Sequence, residues 1–308
     1  MSALLIETST SLCLLQDAGR FGVRHLGVTQ GGAADWVSMS WANKLLGNPL
    51  DAAVIEVTLG GLSLLAEEDC CLALAGADLD AMLDNRPLKP WRSFFMGKGQ
   101  RLRFNRPIVG ARAYLAAPGG FTAPAVLGSC STVVREELGG LDGLGKPLGK
   151  GDRLSYSGAA FVLRVLPSQQ IPDFGVNTLL DVVLGAQIGQ FSGLSLFDAF
   201  NSDWTLDTRA DRMGIRLLGP ELTYLGAPMI SEGIPLGALQ IPPDGQPIVL
   251  LNDRQTIGGY PRLGALTPLS LARLAQCLPG SVIRLKPIVQ NTAHKQHVRY
   301  LQVFSGPH

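Results

Sequence analysis

A mostly β chain with a few helices, an α+β class, is predicted by three features of the sequence. Turn formers are abundant, 37 Gly and 20 Pro in 308 residues, while charged residues make up only 17%. That balance suits strands joined by tight turns better than long solvated helices. The apolar runs are short and bounded by turn residues, as in Leu12–Leu15, Leu72–Ala75 and Val249–Leu251. Finally, each half of the chain carries several short strands and one principal helix. This suggests a duplicated barrel-like unit, although no clean repeat is visible.

The N-terminal half is assigned to residues 1–168. Leu4–Ile6 and Leu12–Leu15 are its first strands. Asp17–Gly22 follows as a loop, in which Asp17 either caps a turn with Arg20 as its partner or belongs to a site. Gln30–Asp35 is a second glycine-rich loop before a helix over Trp36–Leu46. Val37, Trp41 and Leu45 share one face of that helix, Asp35 stands at its N-cap and Gly47 at its C-terminal cap. Ala52–Val57 and Leu62–Ala66 are strands joined by Gly60-Gly61. Glu56, among apolar neighbours, is paired with a cation or held in its neutral form. Leu72–Ala75 runs into Gly76-Ala77-Asp78. Ala81–Leu83 and Arg86–Leu88 flank Asp84-Asn85 as a hairpin, and Leu102–Phe104, Ala113–Ala116 and Phe161–Leu166 are further strands. Gly140–Pro147 nearly spells a phosphate-binding loop. It lacks the hydroxyl residue after its Lys and no helical pattern follows, so it is assigned to a surface turn.

Ser168–Gly175 is the break between halves, and the C-terminal half is assigned to residues 169–290. It opens with the strand Leu179–Leu184, a helical turn at Leu194–Phe200 and the strand Trp204–Leu206. Thr267-Pro268-Leu269 starts a helix whose apolar face is Leu271, Leu274, Ala275 and Leu278. Val282–Leu285 is a last strand, and residues 291–308 form a C-terminal helix and tail, helical over Asn291–Val303.

Composition removes several function classes. Net charge is +1, with 26 basic against 25 acidic residues, so no basic field invites nucleic acid or anionic lipid. No apolar run approaches a membrane span, and the first residues lack a signal-peptide pattern. Cys13, Cys70, Cys71, Cys130 and Cys277 are odd in number without Cys-x-x-Cys spacing, which favours reduced thiols and a cytoplasmic location. There is no Gly-x-Ser-x-Gly elbow, no His-Glu-x-x-His, no Gly-x-Gly-x-x-Gly and no biotin-acceptor motif. His25, His294, His297 and His308 are scattered. His294 and His297 have metal-compatible spacing but no third ligand nearby, so a solvated helix face is the reading, and no metal site is assigned. Cys130 lies between two serines without a neighbouring His and is read as a small buried filler.

The richest stretch runs from Arg209 to Ala265. Here Asp211, Arg212, Arg216, Gln240, Gln246, Asp253, Gln255 and Tyr260 alternate with Gly, Pro and short apolar runs. Pro242–Gly245 is a tight turn before the strand Val249–Leu251, and Gly258-Gly259 permits close backbone approach. Each polar residue alone fits a turn or a solvated strand face; their density points to a recognition site, and Gln, Asn and Asp side chains can present donors and acceptors to an amide, urea or lactam, with Arg a fork for a carboxylate or phosphoryl oxygen.

Asp211–Arg216, Gln240–Ile248 and Asp253–Pro261 also carry a family resemblance, and the N-terminal half agrees through Gln16–Gly22, Asn43–Gly47, Glu56–Gly61, Gly76–Asp78 and Gly128–Thr132. Nine or so blocks in one order, from about Leu4 to about Leu285, resemble the allophanate hydrolase subunit 2 family. That family is also called KipA or the C subunit of 5-oxoprolinase, and is related to the carboxyltransferase region of urea carboxylase. The resemblance implies two cyclophilin-like β-barrel subdomains. It implies a subunit, inactive alone, of an ATP-dependent 5-oxoprolinase that opens 5-oxo-L-proline to L-glutamate. The implied partners are a smaller subunit like allophanate hydrolase subunit 1 (KipI-like) and a third subunit. ATP and Mg2+ act at the level of the complex, and no biotin is attached to this chain. The alternatives are a carboxyltransferase-like subunit acting on urea and a non-catalytic KipA-like regulator that binds a kinase inhibitor.

Under the first reading Arg212 and Arg216 hold a carboxylate or phosphoryl group, Gln240, Gln246 and Gln255 bind the lactam amide, and Asp211 or Asp253 orients water or metal-bound ATP. Tyr260 lies with the substrate residues, and Asp17, Arg20, Asp35, Glu56 and Asp78 are contributed by the first half. The chain departs from the family pattern at Ala34, Ala210 and Ile257, which stand where a bulkier residue, a Ser or Asn, and a Thr are usual. These positions bear on substrate identity more than on fold.

Overall fold

The structure, a computed structural model, describes residues 2–158, 163–175 and 178–305. Strands dominate, and the described residues form four α-helices: α1 (Trp36–Leu46), α2 (Gly193–Asn201), α3 (Pro268–Leu274) and α4 (Gln290–Ser305). The chain divides into two units. Residues 1–23 and 30–174 form the first, and residues 24–29 and 175–308 form the second. The excursion of Arg24–Thr29 into the second unit has no signature in the sequence.

In the first unit a six-stranded sheet runs in the order Arg153–Tyr156, Ser2–Thr8, Ser63–Ala66, Arg101–Phe104, Ala81–Leu83, Arg86–Pro87. A five-stranded sheet runs Cys13–Gln16, Val54–Thr58, Val109–Ala116, Cys70–Asp78, Arg92–Met96. Leu4, Ile6, Leu15, Ile55, Leu64, Leu72, Leu102 and Phe104 make their shared apolar core. The 81–88 hairpin forms as expected, with Leu83 opposite Arg86 and Asp84 at φ 53° in the turn. Of the Phe161–Leu166 strand, Phe161 and Val162 lie outside the described residues, and Val165 makes a single bridge to Arg92.

Asp35 caps α1, accepting from Ser38 N at 3.0 Å and Ser38 Oγ at 2.5 Å, and Gly47 ends the helix at φ 76°. Such a cap is worth about 1 kcal/mol. The helix is buried from Val37 to Leu46, not on the single face that its apolar spacing suggested. Its polar positions are accommodated by bonds within the unit: Asn43 Nδ2 donates to the carbonyls of Leu50 (3.2 Å) and Ala52 (2.8 Å).

The second unit is a closed seven-stranded barrel, ordered Thr178–Leu184, Arg262–Leu266, Ala238–Gln240, Ile248–Leu250, Gly214–Leu218, Trp204–Leu206, Val282–Ile288. Closure is made by the parallel pairing of Thr178–Val183 with Ile283–Ile288. Strand alternation sorts the side chains: Leu180, Val182, Ile283 and Leu285 point into the core, whereas Leu179 is exposed. Trp204 fills the barrel with no exposed surface and donates from Nε1 to the Ala199 carbonyl at 3.1 Å. Helix α3 is capped by Thr267 with Pro268 in its first turn, but it ends at Leu274. Tight bonds from Gln276 N to Arg273 O and Cys277 N to Leu274 O replace the helical pattern there, so Leu278 is not on the helix face.

Candidate functional site

In the second unit the strand Ile248–Leu250 continues into a loop whose path is set by strand register. Gly214 pairs with Leu250, and the same ladder extends through Leu251 N to Met213 O (2.8 Å) and Asp253 N to Arg212 O (2.9 Å). Arg212 and Asp253, 41 positions apart, are thereby forced side by side. Arg212 Nε lies 2.9 Å and Nη2 3.1 Å from the two carboxylate oxygens, in a fork largely withdrawn from solvent.

The next residue, Arg254, is buried. It donates from Nε to the Ile234 carbonyl (3.2 Å) and from Nη1 to the Leu251 carbonyl (3.1 Å). A two-stranded ribbon pairs Glu232–Gly233 with Ile257–Gly258, and Arg24 reaches the residues flanking it, donating from Nη2 to the carbonyls of Ile234 (2.5 Å) and Thr256 (2.9 Å). Burial first, then the like charge of Arg24, push the Arg254 guanidinium down to about 9, which leaves it charged at neutral pH. Burial alone lowers Arg24. Gln240 is 2% exposed and its Nε2 finds no hydrogen-bond partner.

The other residues expected in this half lie elsewhere on the unit. Asp211 is exposed and closes a turn by accepting from Met213 N (2.8 Å) and Gly214 N (3.0 Å). Arg216 forms an ion pair with Asp244, which holds the Asp244 carboxyl below its usual range. Gln246 clamps Gly219, accepting from its N–H (3.0 Å) and donating to its carbonyl (3.1 Å). Gln255 and Tyr260 are exposed. Gln246 is thus engaged in holding the barrel wall, the Arg212 fork is taken by Asp253, and Arg216 is paired with Asp244 through Nη1.

The first unit brings its expected residues into two knots. In the first, the Asp17 carboxylate accepts from Gly19 N (2.8 Å), Ser129 Oγ (2.6 Å), Cys130 N (2.8 Å) and Ser131 Oγ (2.5 Å). Burial raises this carboxyl, but those four bonds together hold it below the usual range. Arg20, 1% exposed, donates to the carbonyls of Val126 (3.0 Å), Ser129 (3.4 Å) and Ser131 (2.7 Å). In the second, Glu56 accepts from Ala34 N and Tyr114 Oη, both at 2.8 Å, with Arg112 Nε 3.9 Å away, which supplies the expected cation. Burial, then Glu56 and Asp35, push the Tyr114 hydroxyl well above its ordinary value, so it stays a donor. Asp78 stands apart, bound to Lys89 Nζ at 2.8 Å.

Cys130 belongs to the Asp17 knot, with its Sγ 3.3 Å from the carboxylate. Burial and the Asp17 charge push its thiol far up, the opposite of an activated nucleophile. In the folded chain at pH 8, iodoacetamide is expected to label the partly exposed Cys277 and leave Cys130 unmodified, as read by peptide mass spectrometry. Rapid labelling of Cys130 before unfolding contradicts this reading.

Sequence reasoning passed over Arg254, Arg24 and Tyr114. Arg254 was within reach, since it stands between Asp253 and Gln255. Arg24 has no signal, because its partners lie more than two hundred positions away. Among the described residues no group of three or more His, Cys, Asp or Glu is placed to hold a metal ion, and no helix is long and apolar enough to cross a membrane.

Comparison with known proteins agrees with this architecture. The chain is 37% identical over 270 residues to the C subunit of 5-oxoprolinase from Escherichia coli, covering 87% of this chain and 86% of that protein. It is 34% identical over 287 residues to the corresponding 5-oxoprolinase subunit of Haemophilus influenzae, covering 92% and 91%. Its fold is similar to the crystal structure of Kluyveromyces lactis urea carboxylase, with a TM-score of 0.92 and 24% identity, over 98% of this chain and 29% of that much longer one. The model of the carboxyltransferase domain, subdomain A and B, matches residues 26–287. With that match over most of its length and two relatives above 30% identity, the chain belongs to the carboxyltransferase domain (subdomain A and B) family.

Proposed function

We propose that the chain is the C subunit of an ATP-dependent 5-oxoprolinase, which opens the lactam of 5-oxo-L-proline to L-glutamate. The observation that carries this reading is its similarity, over nearly the full length of both proteins, to two relatives that bear that name. The chemistry of the second unit is compatible with it. Gln240 Nε2 is a buried donor lacking an acceptor, suited to a lactam carbonyl oxygen on which negative charge develops. Arg212 orients Asp253, and through it the loop that carries Arg254, as a positioning pair. Burial holds the Cys130 thiol in its protonated form, and under this reading ring opening uses water after the lactam oxygen has been activated at the expense of ATP.

Under this reading Mg2+ and ATP act at the level of the assembled complex. The complex comprises this chain, a smaller KipI-like subunit and a third subunit, in the cytoplasm, with no biotin on this chain.

The second reading is a carboxyltransferase-like subunit acting on urea or a related amide, favoured by the family to which the chain belongs. Reconstitution separates the two. The chain, its smaller partner and the third subunit are mixed with ATP, magnesium and 5-oxo-L-proline, and each is omitted in turn. Glutamate release that requires this chain is the expected result. A stable complex that releases no glutamate, but carboxylates urea when a biotin-carrying partner is added, overturns it.

A further inference from the structure

The second unit sets the half-buried guanidinium of Arg24 beside the buried one of Arg254, and among the described residues neither has a carboxylate partner. Arg254 and Arg24 both donate to one acceptor, the Ile234 carbonyl, at 3.2 and 2.5 Å. Their bonds to Leu251 and Thr256 also go to backbone carbonyls. Carbonyl dipoles offset only part of two like charges held in a poorly polarisable interior. Arg24 Nη1 is buried with no acceptor, and so is Nε2 of Gln240, on the barrel strand Ala238–Gln240. A β-carbon added at Gly258 would lie 2.9 Å from Gln240 Nε2 and 2.6 Å from Ile234 Cδ1, so Gln240 and Ile234 close on the same bare backbone. The carboxylate on this ribbon, Glu232, is bound to Arg262. Unused buried donors beside uncompensated positive charge are what a bound anion would satisfy.

We propose that Arg24 and Arg254 form an oxyanion site next to Gln240, and that its occupant is the carboxylate of a small cyclic amide acid. The site stands on geometry alone; the choice of occupant rests on the 5-oxoprolinase reading. A carboxylate suits it better than a phosphoryl group. Only a few donors remain after the carbonyls are served, and short strands, Glu232–Gly233 and Ile257–Gly258, frame it rather than a helix N-terminus. With the carboxylate on the arginines, Gln240 is left for the lactam carbonyl. Urea has no carboxylate, so the site would also reject it.

The test is thermal unfolding and calorimetric titration of the full chain with 5-oxo-L-proline, tetrahydrofuran-2-carboxylate, 2-pyrrolidinone and inorganic phosphate. Wild type is compared with Arg24→Gln and Arg254→Lys. Both carboxylates are expected to bind and raise Tm, and 2-pyrrolidinone is not. Arg24→Gln should weaken the carboxylates about tenfold or more through loss of a charge-assisted contact. Should Arg254→Lys fail to fold, the partly exposed Arg24 variant decides alone. Equal carboxylate affinity in Arg24→Gln and wild type, or no wild-type response to either carboxylate, overturns the site. Binding of phosphate alone overturns the carboxylate assignment. Binding of tetrahydrofuran-2-carboxylate but not 5-oxo-L-proline supports the site and counts against the 5-oxoprolinase reading, which glutamate release by the reconstituted complex tests separately.

Discussion

Arg212→Ala is expected to destabilise the chain by about 3 kcal/mol, because it strands the Asp253 carboxylate in a site that excludes most water. The bidentate fork at 2.9 and 3.1 Å ties together the 211–213 and 251–253 segments that the register sets side by side. Losing it frees the loop that aims Arg254. If the proposed function holds, turnover of the reconstituted complex should therefore fall even at temperatures where the variant is fully folded, through a raised KM for 5-oxo-L-proline. Arg212→Lys keeps the charge but loses the planar fork and should recover only part of both effects. Chemical denaturation gives the stability arm and steady-state kinetics the functional arm. Unchanged stability and unchanged KM together would show that Arg212 and Asp253 neither brace nor aim the loop.

A loss of comparable size is expected for Asp17→Ala in the first unit. Five donors converge on this carboxylate, the Cys130 thiol among them, and each buried donor left without an acceptor costs about 1–3 kcal/mol, less where water can enter. The net expectation is about 3 kcal/mol. The pH dependence follows from the same bonds. The folded carboxyl sits below its ordinary value, so its stabilisation is fully present above about pH 4. It is lost as pH falls through the lower folded value. Wild type should thus lose stability on acidification below about pH 4 more steeply than Asp17→Ala. Denaturation midpoints between neutral pH and pH 3 measure it, and parallel curves for the two proteins would show that Asp17 is not the group responsible.

Asp17 also illustrates how differently the candidate residues were legible. Its place in a turn was readable from Asp17–Gly19, but its real partners, Ser129–Ser131, are more than a hundred positions away. The Asp35 cap and the Gly47 terminus needed only their immediate neighbours, and both are where the local chemistry put them. Glu56 was marked as a buried acid by the apolar residues around it. Only the antiparallel pairing of Val54–Thr58 with Val109–Ala116, which sets Glu56 opposite Tyr114, showed what holds it.

By itself, then, the sequence determined the β-rich class and the capped helices, while the break near residue 170 and the stretch rich in recognition-type residues stand as its expectations. All of these follow from local signals: turn formers, alternation, caps and composition. Tertiary structure decided which of those polar residues are already engaged. Arg212, Arg216 and Gln246 are held by Asp253, Asp244 and Gly219, whereas Arg24, Arg254 and Gln240 keep charge or donors in reserve. The physical reason is that a side chain's partners are set by strand register and by excursions such as Arg24–Thr29, and neither leaves a trace in the spacing of residues along one chain.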